Sequence, residues 1–238
     1  PATFHRWVEL LPPEVNVSVL QLPGRGARLD EAPYINMAEL VAGVTRSLAE
    51  LLADGVPAVF FGYSLGAVVA YEATGELWRC HGRQPEHLFV GGARAPHWHT
   101  VEQHALDVLQ FSPLPEVPEH ELPEPELVEF LSGIALGGAR EALRDPEIRR
   151  LLLPAVRADF AVFRSYVYEP QPPLPVPITA IAGRADPIVS AAHLTSWRQH
   201  TTAAFRVQFL PGDHGVIETQ RPRLIALVGA ELQGDGEL

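Results

Sequence analysis

The chain has 238 residues, 47% of them hydrophobic, and a formal net charge of −11 at pH 7. That length buries one substantial core and is too short for two independent enzyme domains, so one domain with an insertion is expected. The acidic balance argues against nucleic acid as a partner, since phosphate binding needs basic residues clustered on one face. The single cysteine, Cys80, excludes an internal disulfide framework. No apolar run approaches the roughly 18 to 20 residues that span a bilayer, and no leader-like start is visible, so a soluble, cytoplasmic monomer away from membranes is expected.

In chain order, the first strand is expected over Val15 to Leu22, a short apolar and β-branched segment bounded by turn residues. A helix follows over Asn36 to Ala53, opened by the capping pair Asn36 and Glu39 and closed at Asp54-Gly55. Next come a strand, Ala58 to Phe61, a helix, Leu65 to His81, and a strand, Leu88 to Val90. Further along stand strands at Val176 to Ala182 and Arg206 to Leu210, with helices at Ser190 to His200 and Pro222 to Leu232. Strands alternating with helices predict an α/β fold with a mostly parallel, doubly wound sheet.

About 85 residues separate the strands ending near Val90 and starting near Val176, far more than a crossover needs. An inserted helical lid over 96–169 accounts for them, between core segments 1–95 and 170–238. The insert opens with a Pro- and Glu-rich loop, Ser112 to Glu126, then carries helical periodicity over Glu126 to Leu136, Pro146 to Leu152 and Ala155 to Val167. Arginines 140, 144, 149, 150, 157 and 164 punctuate these stretches and read mainly as a solvated face, with a docking patch as the other possibility.

Gly62-Tyr63-Ser64-Leu65-Gly66 follows a predicted strand and precedes a predicted helix, the context that turns a Gly-x-Ser-x-Gly match into a nucleophile elbow. Glycines at 62 and 66 are expected to relieve crowding around the strained serine turn. A serine needs a base, and the base needs a carboxylate that fixes its tautomer. Asp186 and His214 lie just after successive strands, in the order acid then histidine, on the rim where Ser64 emerges. Asp186 ranks above Asp159, which sits in a predicted lid helix, and Asp213, which adjoins the histidine too closely. His97, His99 and His104 could imitate a metal site, but no carboxylate or cysteine completes one. No metal and no cofactor is expected. His193 and His200 read as surface residues; His5, His81, His87 and His120 have no context that singles them out.

Taken together, Leu22-Pro23-Gly24-Arg25 with Arg28, the elbow with Ala67, Leu153-Pro154 with Arg157-Ala158-Asp159-Phe160, and Pro211-Gly212-Asp213-His214 resemble the type II thioesterases of polyketide and nonribosomal peptide synthases. Tyr166, Pro173-Leu174, Val176-Pro177, Gly183, Asp186 and Trp197 extend the likeness over nearly the whole chain. The resemblance implies an α/β-hydrolase that hydrolyses acyl thioesters on the phosphopantetheine arm of an acyl or peptidyl carrier protein, removing aberrant acyl groups. It implies Ser64 as nucleophile, His214 as base, Asp186 as its orienting acid and the Leu65 N–H as an oxyanion donor. It also marks departures. The sequence is expected to open, at Pro1-Ala2-Thr3-Phe4, just after the position of the Gly-rich loop that supplies the family's second oxyanion donor, so that this loop either precedes these residues or is lacking. Tyr63 and Leu65 replace the usual His and Met, while Gly215 and Val216 replace two aromatics, which puts Tyr63, Gly215 and Val216 at the acyl-binding positions. A general carboxylesterase and a catalytically dead carrier-protein binding module are the competing readings.

Overall fold

The computed structural model describes residues 4, 6–99, 118–134 and 143–232, which divide into two compact units. The first comprises Pro1–Leu20, Val41–Ala95 and Gln171–Leu238; the second comprises Gln21–Leu40 and Pro96–Pro170. Gln21–Leu40 therefore groups with the insert, although sequence reading assigns it to the core. The boundary falls inside helix α1 (Met37–Leu51). Its N-terminus is capped by the Asn36 side chain, which accepts from Ala38 N and Glu39 N.

Among the described residues, the first unit is built on four parallel strands in the order β1 (Val59–Tyr63), β2 (His87–Gly91), β3 (Ile178–Gly183) and β4 (Phe205–Leu210). Phe61 pairs with Phe89, Phe89 with Thr179, and Thr179 with Arg206, so these residues share one face. Helix α7 (Arg221–Leu232) covers that face: its Leu224, Ile225 and Val228 pack with Phe89, Ile181, Leu210 and Trp7. Leu88, Val90, Ala180 and Ala182 alternate to the opposite face and are fully buried. Helix α2 (Leu65–His81), the crossover from β1 to β2, lies against these two strands and buries Ala67, Val68, Tyr71 and Leu77. Every residue of β2 and β3 is buried, as central strands of a two-sided parallel sheet must be.

The four later strands agree with the sequence reading, and the helix at Leu65 to His81 agrees to the residue. It stops where Gly82 adopts a left-handed conformation, φ 61°, and returns its N–H to Trp78 O. Val15 to Leu22 is not a strand. Its burial does alternate over 15–20, but a strand also needs a ladder partner, and none of the described strands pairs with it. Period-2 patterning reports which side faces inward, not whether a neighbour exists. The helix expected over Ser190 to His200 is a short α5 (Ala191–Thr195) continued by a 3-10 turn, Ser196–His200. His200 is buried rather than on the surface: its Nδ1 meets Tyr71 Oη at 3.1 Å, and its ring stacks edge-on against Tyr71 and Trp197. Helix α6 (Val216–Thr219) precedes α7.

The second unit contains helices α3 (Glu124–Ile134) and α4 (Pro146–Ser165). Leu122, Leu127, Leu131, Leu143 and Leu153 form its core, with Phe130 and Phe160 against it. The expected loop over Ser112 to Glu126 is helical from Glu124, with a 3-10 turn at Glu119–Glu121; its residues 112–117, like 135 and 136 of the next predicted helix, lie outside the described residues. Helix α4 is one helix, not the two expected around Pro154. Asp145 caps it and Pro146 occupies its first turn. Pro154 costs α4 a hydrogen bond, but it sits on the exposed side while Leu153, Ala155, Ala158 and Val162 bury the other, and that burial carries the helix through.

Two arginines tie this unit together. Arg25 grips Asp159 with two hydrogen bonds of 2.8 and 2.7 Å, and Arg157 donates to His120 O at 2.9 Å. Asp159 thus holds the second unit together through a partner 134 residues away in sequence. No helix among the described residues is long and apolar enough to cross a membrane.

Candidate active site

Ser64 stands between β1 and α2 with φ 53°, the one non-glycine residue described with a positive φ. A serine in that region is strained by of order 1 to 3 kcal/mol and persists only where its surroundings impose it. Here they do. The Ser64 N–H donates to Gly91 O at 2.8 Å, and its carbonyl accepts from Ala67 N at 2.9 Å. A methyl group at Gly62 would lie 2.6 Å from the Gly66 carbonyl carbon and 2.7 Å from Ala67 Cα, so only glycine lets the first turn of α2 fold back over β1. Gly66 differs from the sequence expectation: a methyl there would meet nothing within 4 Å. The Ser64 side chain is exposed and makes no capping hydrogen bond to α2. Leu65 is the first residue of that helix, where backbone N–H groups lack intrahelical acceptors.

Asp186 and His214 are brought together. His214 Nδ1 donates to Asp186 Oδ2 at 2.9 Å, with the carboxylate side chain wholly buried and the imidazole 18% exposed. The other carboxylate oxygen accepts from Ile188 N at 2.8 Å and Val189 N at 3.1 Å, which satisfies the buried acid and fixes its rotamer. Arg94, buried at the end of β2, donates to Ile188 O and pins the same loop. With Nδ1 committed to the carboxylate, Nε2 is the ring nitrogen left for proton transfer.

The topology sets a geometric problem. Ser64 follows β1 and His214 follows β4, three strand spacings or roughly 14 Å apart across the sheet. The loop after β4 must therefore return over the strand ends, and those ends are glycines. At Gly183 of β3 a methyl would stand 2.8 Å from the Asp213 carbonyl carbon and collide with the Gly212 and Asp213 oxygens. Ala185 N donates to Gly212 O at 2.9 Å and Arg184 N to Leu210 O at 2.8 Å, latching the acid loop to the histidine loop.

Of the residues expected to line an acyl site, Gly215 opens α6 and donates its N–H to Asp213 Oδ1 at 2.8 Å. Val216 is wholly buried in the core cluster with Trp7, Phe89 and Ile181, so it packs the sheet. Tyr63, too, is taken up by the protein itself: its Oη donates to His214 O at 2.6 Å. Burial raises the Tyr63 phenol well above its ordinary pKa, and Asp186 and Asp213 push it the same way against a weaker opposing influence from the Ile217 N–H. The group stays a neutral donor. No composition signal distinguishes this tyrosine from a substrate contact. Arg94 had a faint one, a charge set among Gly91-Gly92-Ala93 and Ala95.

Among the described residues no three His, Cys, Asp or Glu side chains form a metal-binding group. His99 is buried against Phe163 and Tyr166, and His104 lies outside the described residues.

A family model described as Thioesterase domain matches residues 1–232. The chain is 35% identical over 239 residues to linear gramicidin dehydrogenase LgrE of Brevibacillus parabrevis, across 97% of this chain and 82% of that protein. It is 34% identical over 219 residues to thioesterase PikA5 of Streptomyces venezuelae, across 91% and 71%. RedJ, a thioesterase from the prodiginine biosynthetic pathway in Streptomyces coelicolor, matches in structure with a TM-score of 0.80 and 34% identity over 97% of this chain and 80% of that one.

Proposed function

The chain belongs to the thioesterase-domain family and is a hydrolase acting on thioesters, and from that premise we propose that it removes acyl groups from the phosphopantetheine arms of acyl or peptidyl carrier proteins in polyketide or nonribosomal peptide synthesis. The observation that carries this reading is the Asp186–His214 hydrogen bond, formed at the same end of the parallel sheet as the strained, exposed Ser64. The pathway reading draws on RedJ, a thioesterase of prodiginine biosynthesis, and on the arrangement that the two proteins share over nearly the whole chain.

The chemistry then runs in two halves. His214 Nε2 takes the Ser64 proton as Oγ bonds to the thioester carbonyl carbon. The carbonyl oxygen becomes an oxyanion that accepts from the Leu65 N–H, a contact worth about 3 kcal/mol of barrier in comparable sites. Collapse breaks the C–S bond, and the imidazolium returns the proton to the leaving pantetheine sulfur. His214 next deprotonates a water that attacks the acyl-serine, giving free acid and regenerated Ser64. Asp186 keeps the imidazole in the tautomer that exposes Nε2 and stabilises the imidazolium. The phosphopantetheine belongs to the partner, so the chain needs no resident cofactor. As an editing enzyme it clears acyl groups that the synthase cannot extend.

The test is direct. Carrier protein loaded with a short acyl group is incubated with the chain, and loss of the acyl mass is followed by intact-protein mass spectrometry. Release by the parent, no release by Ser64→Ala, and slower turnover of the matching oxoester support the reading. A folded parent that leaves the acylated carrier intact overturns it; faster oxoester turnover points to a carboxylesterase.

A further inference from the structure

We infer that Tyr63 is a positioning residue for His214, its phenol acting as the strut that sets the distance between the histidine loop and the strand that carries Ser64. The inference rests on the proposed roles of Ser64 and His214. The Asp186 contact holds the imidazole from the β3 side, through Nδ1. It leaves open how far the loop reaches back toward β1. That second fix comes from the residue immediately before Ser64: Tyr63 Oη donates to the main-chain carbonyl of His214 itself at 2.6 Å. The bond spans 151 residues of sequence and ties His214 to the chain neighbour of Ser64, the residue whose spacing from His214 matters most.

The strut is rigid. The Tyr63 ring lies over β2, where a methyl at Gly91 would come within 2.5 Å of Cδ2 and one at Gly92 within 2.7 Å of Cζ. Its ring centroid stands 5.6 Å from that of His214. Gly92 has φ 57°, a conformation that suits glycine, so the floor under the ring is shaped to receive it. Because burial beside Asp186 and Asp213 keeps the phenol protonated, it donates to the carbonyl instead of repelling it.

Tyr63→Phe isolates the hydroxyl, since the ring and its packing on Gly91 and Gly92 remain. The experiment compares the parent and Tyr63→Phe in hydrolysis of an acyl-pantetheine, in the rate of fluorophosphonate labelling of Ser64, and in the NMR resonance of the His214 Nδ1 proton. We expect kcat and the labelling rate to fall together by about tenfold, a fraction of the hundredfold that an ångström of misplacement costs, with KM changed less than twofold. The Nδ1 resonance should broaden as the ring gains freedom. The resonance is read on folded protein alone, so it remains decisive even if yield drops. Parent-like kcat and labelling in Tyr63→Phe overturn the inference, as does a rise in KM at unchanged kcat, which would make Tyr63 a substrate contact. If the parent itself is not labelled at Ser64, the nucleophile assignment fails first and this inference falls with it.

Discussion

Two glycines flank Ser64 at equal sequence distance, and the structure gives them opposite importance. At Gly62 an added methyl would sit 2.6 and 2.7 Å from backbone atoms of Gly66 and Ala67, where ordinary contact begins at 3.4 Å. No rotamer change relieves backbone atoms. The first turn of α2 must withdraw by close to an ångström, taking Ser64 and the Leu65 N–H with it. Gly62→Ala should therefore lower kcat/KM on an acyl-pantetheine about a hundredfold and cost about 1 to 3 kcal/mol of stability. Gly66→Ala meets nothing within 4 Å and adds a better helix former to the first turn of α2, so it should keep parent activity within about threefold and leave stability equal or up to about 1 kcal/mol higher. Fluorophosphonate labelling, steady-state hydrolysis and urea unfolding of both variants decide the matter. Equal damage at the two sites, or a Gly62→Ala enzyme with parent kinetics, would refute the steric argument.

Three further substitutions probe other parts of the molecule. Asp186→Asn can keep the bonds from Ile188 N and Val189 N but turns a donor toward Nδ1, so kcat should fall about 10⁴-fold with KM and fold preserved, as steady-state kinetics and circular dichroism will show. Asp159→Ala strands the Arg25 guanidinium in a site where the two side chains are 25% and 36% exposed; a loss of about 1 to 2 kcal/mol in urea unfolding is expected, and Arg25→Lys should recover little because an ammonium cannot reproduce the two-pronged contact. His87 is buried, bonded to Thr179 Oγ1 and 3.4 Å from Glu231, and burial holds its imidazole below the ordinary 6.5. The unfolded chain then protonates first, so this group's contribution is intact above pH 6.5 and is lost as pH falls below it. His87→Gln should flatten the decline of the unfolding midpoint between pH 7 and 5; identical slopes in parent and variant would refute this.

Much of this architecture was legible because it is local. The helix from Leu65 to His81 announces its face by spacing and its end by Gly82, and the four paired strands announce themselves by apolar runs bounded by turns. Asp186 and His214 could be paired in advance because topology confines them to successive strand ends. What escaped reading depends on partners remote in sequence. Val15 to Leu22 alternates like a strand but has no ladder partner among the described strands. His200 looks like a surface helix residue until Tyr71 and Trp197 close over it. Tyr63 occupies a position open to almost any side chain, and only the returning loop gives its hydroxyl an acceptor. Pro154 misleads in the other direction, because tertiary burial outweighs a local preference.

The span of the Tyr63–His214 hydrogen bond also bears on how the protein is made. At about 5 to 20 residues per second, a ribosome needs roughly 8 to 30 s to pass from Tyr63 to His214, 151 residues later. For that interval the nascent chain carries the proposed nucleophile, Ser64, without the proposed base, His214. With the roles proposed for Ser64 and His214, the order of synthesis holds hydrolysis back until β4 and the loop after it have docked.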